Sequence, residues 1–352
     1  MTAYPEILKT CSGETIDTAI AWETYRRPEI LALFSNFVYG NMPFACQLPV
    51  CFSEEGEERT VWGYRRRKIM ARTETLAFFF YLYLPDEATH RNRVPVVFYN
   101  MFGWEPEQAA PVQEILKRGY AFCALPVNGV ASDSPHSFET GIFQIAGRNG
   151  INPWGAISAW AWGASRVMDY LETVREILPD KVAVGGHSRG GKTALWEFAV
   201  DRRFAACLSL NSGCGGASTS RDKGPDCESV ASITANLGYW FTERFQNYGA
   251  KEYLLPVDQH MLLALAAPRP VYVVSATEDL WADPDGELRS CRMAGGVYAL
   301  YGREGLIMNE PVKADKSYQD GTIAYHRRTG GHGFTAADWS YFLDFTDKIF
   351  CE

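Results

Sequence analysis

The chain has 352 residues, 47% hydrophobic, 22% charged and 14% aromatic, a composition that excludes disorder, collagen and coiled coil. Its 34 Lys and Arg against 42 Asp and Glu leave a net charge of −8, so no basic field exists to hold a nucleic acid. At roughly 150 residues per domain the length fits two domains, or one α/β domain with insertions.

Residues 1–60 carry Trp22, Tyr25, Phe34, Phe37 and Tyr39, then Pro43 and Pro49, without sustained periodicity, and are expected to pack on a core as a capping segment. Strand-like runs follow at 60–71, 75–84 and 94–99, separated by charged or proline-containing turns. The longest apolar run, 76–84, is closed by Pro85 and Asp86 and is far too short to span a bilayer, so no membrane partner is expected. A helix is predicted over 107–118, ended by Gly119, then a strand over 120–125. Pro153 introduces a long helix over 154–177 with alanine and tryptophan on its inner face. A short strand at 182–185 opens into a helix over 193–200, followed by a strand at 206–210. The stretch 214–262 reads as an insertion near the active-site side; strands at 270–275 and 322–327 and a helix at 338–350 close the chain. Strands alternating with helices, with no polar linker, predict a single domain over 1–352: a largely parallel, twisted sheet in a three-layer α/β/α sandwich.

The nine cysteines, at 11, 46, 51, 123, 207, 214, 227, 291 and 351, are scattered without a C-x-x-C pair, so neither a disulfide scaffold nor a metal site is expected. The first eight residues lack a basic region leading into an apolar one, so the chain as written reads as cytoplasmic. A leader removed ahead of Met1 would instead make it periplasmic or secreted.

Gly186-His187-Ser188-Arg189-Gly190 matches G-x-S-x-G, the elbow at which a strand turns sharply into a helix and lifts a serine to its apex. A serine hydroxyl needs a base, and the base an orienting acid, here in the chain order Ser, acid, His. After Ser188 come His260, in a helix-like stretch; His326, within a strand; and His332, in a glycine-flanked loop where an imidazole can reach the serine. His332 is the expected base. The acid should follow the strand at 270–275, where Glu278, Asp279 and Asp283 stand; Asp279 is best placed, Glu278 could substitute, and Asp283 suits a helix cap.

Several segments, in order, resemble the glucuronoyl esterases of carbohydrate esterase family fifteen, especially the bacterial members. They include Arg26-Arg27-Pro28-Glu29-Ile30-Leu31, Val38-Tyr39-Gly40 and the Trp154-Gly155-Ala156 to Trp160-Ala161-Trp162-Gly163 helix. The elbow, Asn211-Ser212-Gly213-Cys214, Leu255-Pro256-Val257-Asp258, Ala267-Pro268-Arg269-Pro270 and Glu278-Asp279-Leu280-Trp281 continue the match. The resemblance implies an α/β-hydrolase fold, no metal or other cofactor, and cleavage of the ester between 4-O-methyl-glucuronoyl groups of xylan and lignin alcohols. It implies that Ser188 is nucleophile and His332 base, that Arg189 helps stabilise the oxyanion, and that Lys192, Trp281 and Glu228 contact the sugar. Arg189 and Lys192 would then supply local positive charge for an acidic sugar on an acidic enzyme.

Two positions depart from the family pattern. Asn211 stands where the usual triad glutamate lies, which independently favours Asp279; His187 stands where many members carry a disulfide-bonded cysteine. The competing readings are an acetyl or feruloyl esterase acting on plant polysaccharide, and a carbohydrate-binding relative without catalysis.

Overall fold

The computed structural model describes residues 3–42, 49–148 and 150–350; Pro43, Cys46 and Cys351 lie outside them. Ten strands form one sheet: β1 Cys51–Arg59, β2 Arg65–Arg72, β3 Ala77–Leu84, β4 Val94–Met101, β5 Ala121–Pro126, β6 Ile177–His187, β7 Ala206–Leu210, β8 Val271–Ala276, β9 Ser317–Tyr318 and β10 Ile323–Arg328. Their order across the sheet is β1-β2-β3-β5-β4-β6-β7-β8-β10-β9. The six strands from β5 to β10 in that order are mutually parallel, while β1, β2, β3 and β9 add antiparallel flanks.

Both faces of the parallel part are covered, which is why its strands are almost wholly apolar. β4 sends Val96 and Phe98 into one core and Val97 and Tyr99 into the other, the period of two that a pleated strand imposes. The larger core lies under helices Ala156–Leu171, Arg189–Val200 and Pro284–Leu300, and the smaller under Val112–Lys117 and Ala336–Phe350. The α/β/α sandwich expected from the sequence is therefore the observed architecture. Among the described residues no helix is long and apolar enough to cross a membrane.

Several predicted elements are corrected. The helix expected over 107–118 is broken into Pro106–Ala109 and Val112–Lys117, because Pro111 has no N–H and holds Ala110 extended, at φ −155°. The helix expected over 154–177 runs only Ala156–Leu171; Ile177 already pairs with Val94 as the start of β6. The helix expected from 193 begins at Arg189, directly on the elbow.

β1 also lies inside the segment expected to be a non-periodic cap, and its Ser-Glu-Glu-Gly-Glu-Glu run hides it. Those carboxylates are paired across the strands, Glu58 with Arg66 at 2.6 Å, Glu57 with Arg67 at 2.9 Å and Glu55 with Lys68 at 2.9 Å. Cross-strand ion pairs stand in for burial on this exposed edge.

Upstream, the helix Arg27–Phe34 is continued on each side by π-helical turns, Trp22–Arg26 and Ser35–Tyr39. Trp22, Ile30, Phe34, Val38 and Tyr39 are buried. Tyr39 stacks on Trp196 of the helix after the elbow, with ring centroids 4.5 Å apart, and donates its hydroxyl hydrogen to Gly215 O at 3.0 Å. Tyr39→Ala should lower unfolding free energy by about 3–5 kcal/mol and Tyr39→Phe by only about 1 kcal/mol. Urea unfolding of the two variants measures the difference, and equal costs would mean that the ring contributes nothing beyond its hydroxyl.

Candidate active site

β6 delivers Ser188 at φ 57° and ψ −122°, a conformation that a residue with a Cβ adopts only under constraint. The constraint is crowding: a Cβ on Gly186 would lie 2.3 Å from Gly190 C and O, and one on Gly191 3.0 Å from Ser212 Cβ. Ser188 N donates to Leu210 O at 2.8 Å, which ties the turn to β7. Since the helix Arg189–Val200 starts at once, its first amides have no intrahelical partners. Ser188 and His332 line one cavity of about 400 Å3, with Tyr99, Phe102, His187 and Phe334.

His332 comes from the loop after β10, and its Nδ1 lies 2.8 Å from Asp279 Oδ2. The same oxygen accepts Asn211 Nδ2 at 2.9 Å, and the other carboxylate oxygen faces Ala282 N. Burial alone would raise the Asp279 pKa; the His332 hydrogen bond and charge, with the Asn211 amide, hold it below the usual carboxylate value. Asn211 therefore stands beside Asp279 as a donor. Glu278 is exposed, its backbone N on Gly330 O at 2.9 Å. Asp283 caps the helix Pro284–Leu300 and takes Ser218 Oγ at 2.6 Å and Lys223 Nζ at 3.1 Å. The other two histidines are buried in structural roles, His326 between Asp338 and Tyr272 and His260 against Pro5 O.

Arg328, which no motif marks, and His187, inside the elbow motif, hold the histidine loop. Arg328, the last residue of β10, donates to the carbonyls of Gly331, Gly333 and Thr329, the last two at 2.7 and 3.2 Å. His187 packs its ring on His332 at 4.6 Å between centroids and on Phe334 at 5.5 Å. Burial, aided by the neighbouring charge of His332, pushes the His187 pKa down to about 4, so its ring is neutral beside His332.

The two cations expected to provide positive charge are each already paired. Arg189 Nε lies 3.0 Å from Asp133 Oδ2, and its guanidinium sits 4.6 Å from the Phe102 ring centroid. Asp133 Oδ1 in turn accepts Tyr239 OH at 2.9 Å and Trp240 Nε1 at 2.8 Å. Lys192 is buried, its Nζ directed at Ser212 O, Cys214 O and Glu228 Oε2 at 2.6, 2.7 and 3.2 Å. Glu228 Oε1 accepts Trp281 Nε1 at 3.1 Å, and the Trp281 ring is 51% exposed. Lys192, Glu228 and Trp281 thus form one hydrogen-bonded chain that ends in an open aromatic face. The local positive charge expected of Arg189 and Lys192 is thus accompanied by a carboxylate at each cation.

Beneath this chain lies Glu287, fully buried and absent from any sequence pattern. It accepts Gly213 N at 3.0 Å and Ser275 Oγ at 2.6 Å, and burial pushes its pKa up to about 7. Among the described residues no group of three or more His, Cys, Asp or Glu side chains could hold a metal, and the seven described cysteines are free.

A family model described as the fungal glucuronyl esterases matches residues 68–302. A carbohydrate esterase from an unknown prokaryotic organism is 36% identical over 393 residues, covering 97% of this chain and 88% of the relative. The 4-O-methyl-glucuronoyl methylesterase 1 of Phanerochaete chrysosporium is 29% identical over 79% of this chain, which spans 58% of that relative's length. The glucuronoyl esterase from Solibacter usitatus superposes with a TM-score of 0.89 at 31% identity, covering 99% of this chain and 98% of that structure.

Asp279→Asn should lower kcat by roughly 10³- to 10⁴-fold, whereas Glu278→Gln should stay within about twofold of wild type. Steady-state kinetics decides, and the reverse pattern would move the acid to Glu278. Glu287 yields a separate pH prediction. Its folded pKa of about 7 exceeds the ordinary 4.5, so the folded state binds the extra proton and stability falls as pH rises between those values. Glu287→Gln should flatten that slope in thermal unfolding scans across the same window; an unchanged slope would show that Glu287 is not its source.

Proposed function

The chain belongs to the glucuronoyl esterase family, carbohydrate esterase family fifteen, whose members are carboxylic ester hydrolases, and we propose that it cleaves a (4-O-methyl-)glucuronoyl ester of the xylan–lignin type. The observation that carries this reading is the contact of His332 Nδ1 with Asp279 Oδ2 at 2.8 Å on the wall of the cavity that Ser188 also lines. With Nδ1 engaged by a carboxylate, His332 keeps Nε2 free to accept the Ser188 proton.

Ser188 Oγ then attacks the ester carbonyl, and the negative charge that develops on the carbonyl oxygen is met by the Arg189 guanidinium and the first amides of the helix Arg189–Val200. His332 passes its proton to the leaving alcohol, and water, deprotonated by the same imidazole, hydrolyses the acyl-enzyme. Asp133 fixes the Arg189 guanidinium in advance of the charge it meets. On the acyl side, the exposed Trp281 ring offers the apolar face of a sugar a flat surface, and the Glu228 carboxylate anchored on Lys192 and Trp281 offers its hydroxyls an acceptor. We further propose one functional domain, in which the helical stretch Trp22–Tyr39 packs as a cap, β1 belongs to the sheet, and the insertion 214–262 contributes Glu228.

A fluorophosphonate probe should label Ser188 in the folded protein; no adduct would remove the nucleophile reading. Trp281→Ala should reduce kcat/KM on a glucuronoyl ester by roughly tenfold and leave a simple acetyl ester within about twofold. Equal losses on both would point to an acetyl esterase without a uronoyl pocket. Trp281 is the better probe here than Lys192, whose removal strands the buried Glu228 carboxylate and destabilises the fold as well.

A further inference from the structure

Behind the wall of the cavity that Ser188 lines is a buried acid that the mechanism does not use. Glu197 sits in the last turn of the helix that starts at the elbow, and it is fully buried. Asn100, also buried, is the last residue but one of β4, where it pairs with Gly186 of the elbow. Asn100 Nδ2 donates to Glu197 Oε2 at 2.9 Å. Among the described residues the other two atoms of the pair, Glu197 Oε1 and Asn100 Oδ1, are buried without a hydrogen-bond partner.

Two orphaned acceptors on side chains already joined by one hydrogen bond need a single donor between them. A proton on Glu197 Oε1 is that donor. The acid gives it to Asn100 Oδ1 while its other oxygen keeps the bond from Asn100 Nδ2, and the planar acid and planar amide close a ring of two hydrogen bonds. The surroundings favour the neutral acid. Burial pushes the Glu197 carboxyl well above the usual carboxylate range; the Asn100 amide opposes this in part and the Asp201 charge adds to it. A carboxylate here would also face the negative end of its own helix. The ionisable groups near it are Asp201 past the helix end and the buried thiols of Cys123 on β5 and Cys207 on β7, none of them a cation. At the helix end Arg27 and Arg269 donate to the Ala199 and Phe198 carbonyls at 2.8 and 2.6 Å, and Arg203 pairs with Asp201. On the other elements packed against the helix, Arg166 pairs with Asp169, His260 is directed at Pro5 O, Lys181 at Phe350 O, and His187 packs on His332.

The pair joins two walls of that cavity, the end of β4 from Asn100 to Phe102 and the elbow with Ser188 and Arg189. A Cβ on Gly190 would lie 3.1 Å from Asn100 O and 3.4 Å from the Phe102 ring, so the two walls are in close contact. Phe102 meets Trp160 edge-on, with ring centroids 5.0 Å apart, and carries the Arg189 guanidinium over its own ring. We propose that Glu197 is a positioning residue held as a neutral acid, whose two-bond pair with Asn100 sets the end of β4 against the elbow helix and thereby seats Phe102 and Arg189 at the reacting carbonyl. The consequence for catalysis rests on the role proposed for Arg189 above, whereas the pair itself does not depend on which ester is cleaved.

Infrared difference spectra of wild type against Glu197→Gln read the acid directly. The C=O band of a protonated carboxyl, shifted by isotope-labelled glutamate, should persist from about pH 6 to about pH 8, and its absence would overturn the neutral acid. Kinetics read the positioning, with the amplitude of fluorophosphonate labelling normalising each rate to assembled sites. Glu197→Gln, whose amide rebuilds the ring with Asn100, should keep kcat within about twofold of wild type. Glu197→Met fills the same space but leaves the Asn100 amide unpaired, and should lower kcat by roughly tenfold while KM stays within about twofold. Equal kcat in the two variants, whether both are retained or both are lost, would overturn the positioning role. Both variants are assayed on an acetyl and a glucuronoyl ester. The expected difference on the acetyl ester, with no cleavage of the glucuronate by wild type, would support the positioning role and overturn the uronoyl reading instead.

Discussion

The Asp279 carboxylate has to remain ionised at a place where burial opposes ionisation. An isolated buried carboxylate would take up a proton and lose the charge that steadies an imidazolium. The fold meets this by bringing three strand ends together. β8 supplies the acid, the turn after β7 supplies the Asn211 amide, and the loop after β10 supplies His332, and the two donors share one oxygen. The parallel sheet is what makes the arrangement possible, since every parallel strand ends on the same edge and the elbow after β6 opens there as well.

The same logic governs the rest of the site. Arg189 is held by Asp133 and Lys192 by Glu228, so neither cation is left to be oriented by the substrate. Internal pairs of this kind restrict geometry more than they raise affinity, because paired charges cancel at a distance and remain directional at contact. The net charge of −8 is therefore no obstacle to the acidic sugar proposed as substrate, which would meet fixed local dipoles and an exposed aromatic face rather than a long-range field.

Much of the candidate site was legible in the residues because it depends on local rules. A glycine-bounded serine between an apolar strand and a helix has few alternatives to an elbow, and a glycine-flanked histidine after the last strand is free to reach it. The parallel strands were legible for a similar reason, since burial on both faces makes them continuous apolar runs. β1 was not, because its stability resides in arginines on the neighbouring strand. Asp133, Arg328 and Glu287 were not legible either. Asp133 serves partners 56 and 107 residues away, a convergence that no spacing rule encodes. Glu287 lies on a helix face like any other glutamate until the turn after β7 is laid over it.

The contacts around His332 bear on the conditions under which the site stays assembled. An imidazole at position 187 cannot exchange electrons with a neighbouring thiol, and the Arg328 guanidinium grips carbonyls that have no redox chemistry. Among the described residues, the loop that carries His332 is thus fastened by packing and hydrogen bonds. That fastening does not draw on the thiol–disulfide poise of the surroundings.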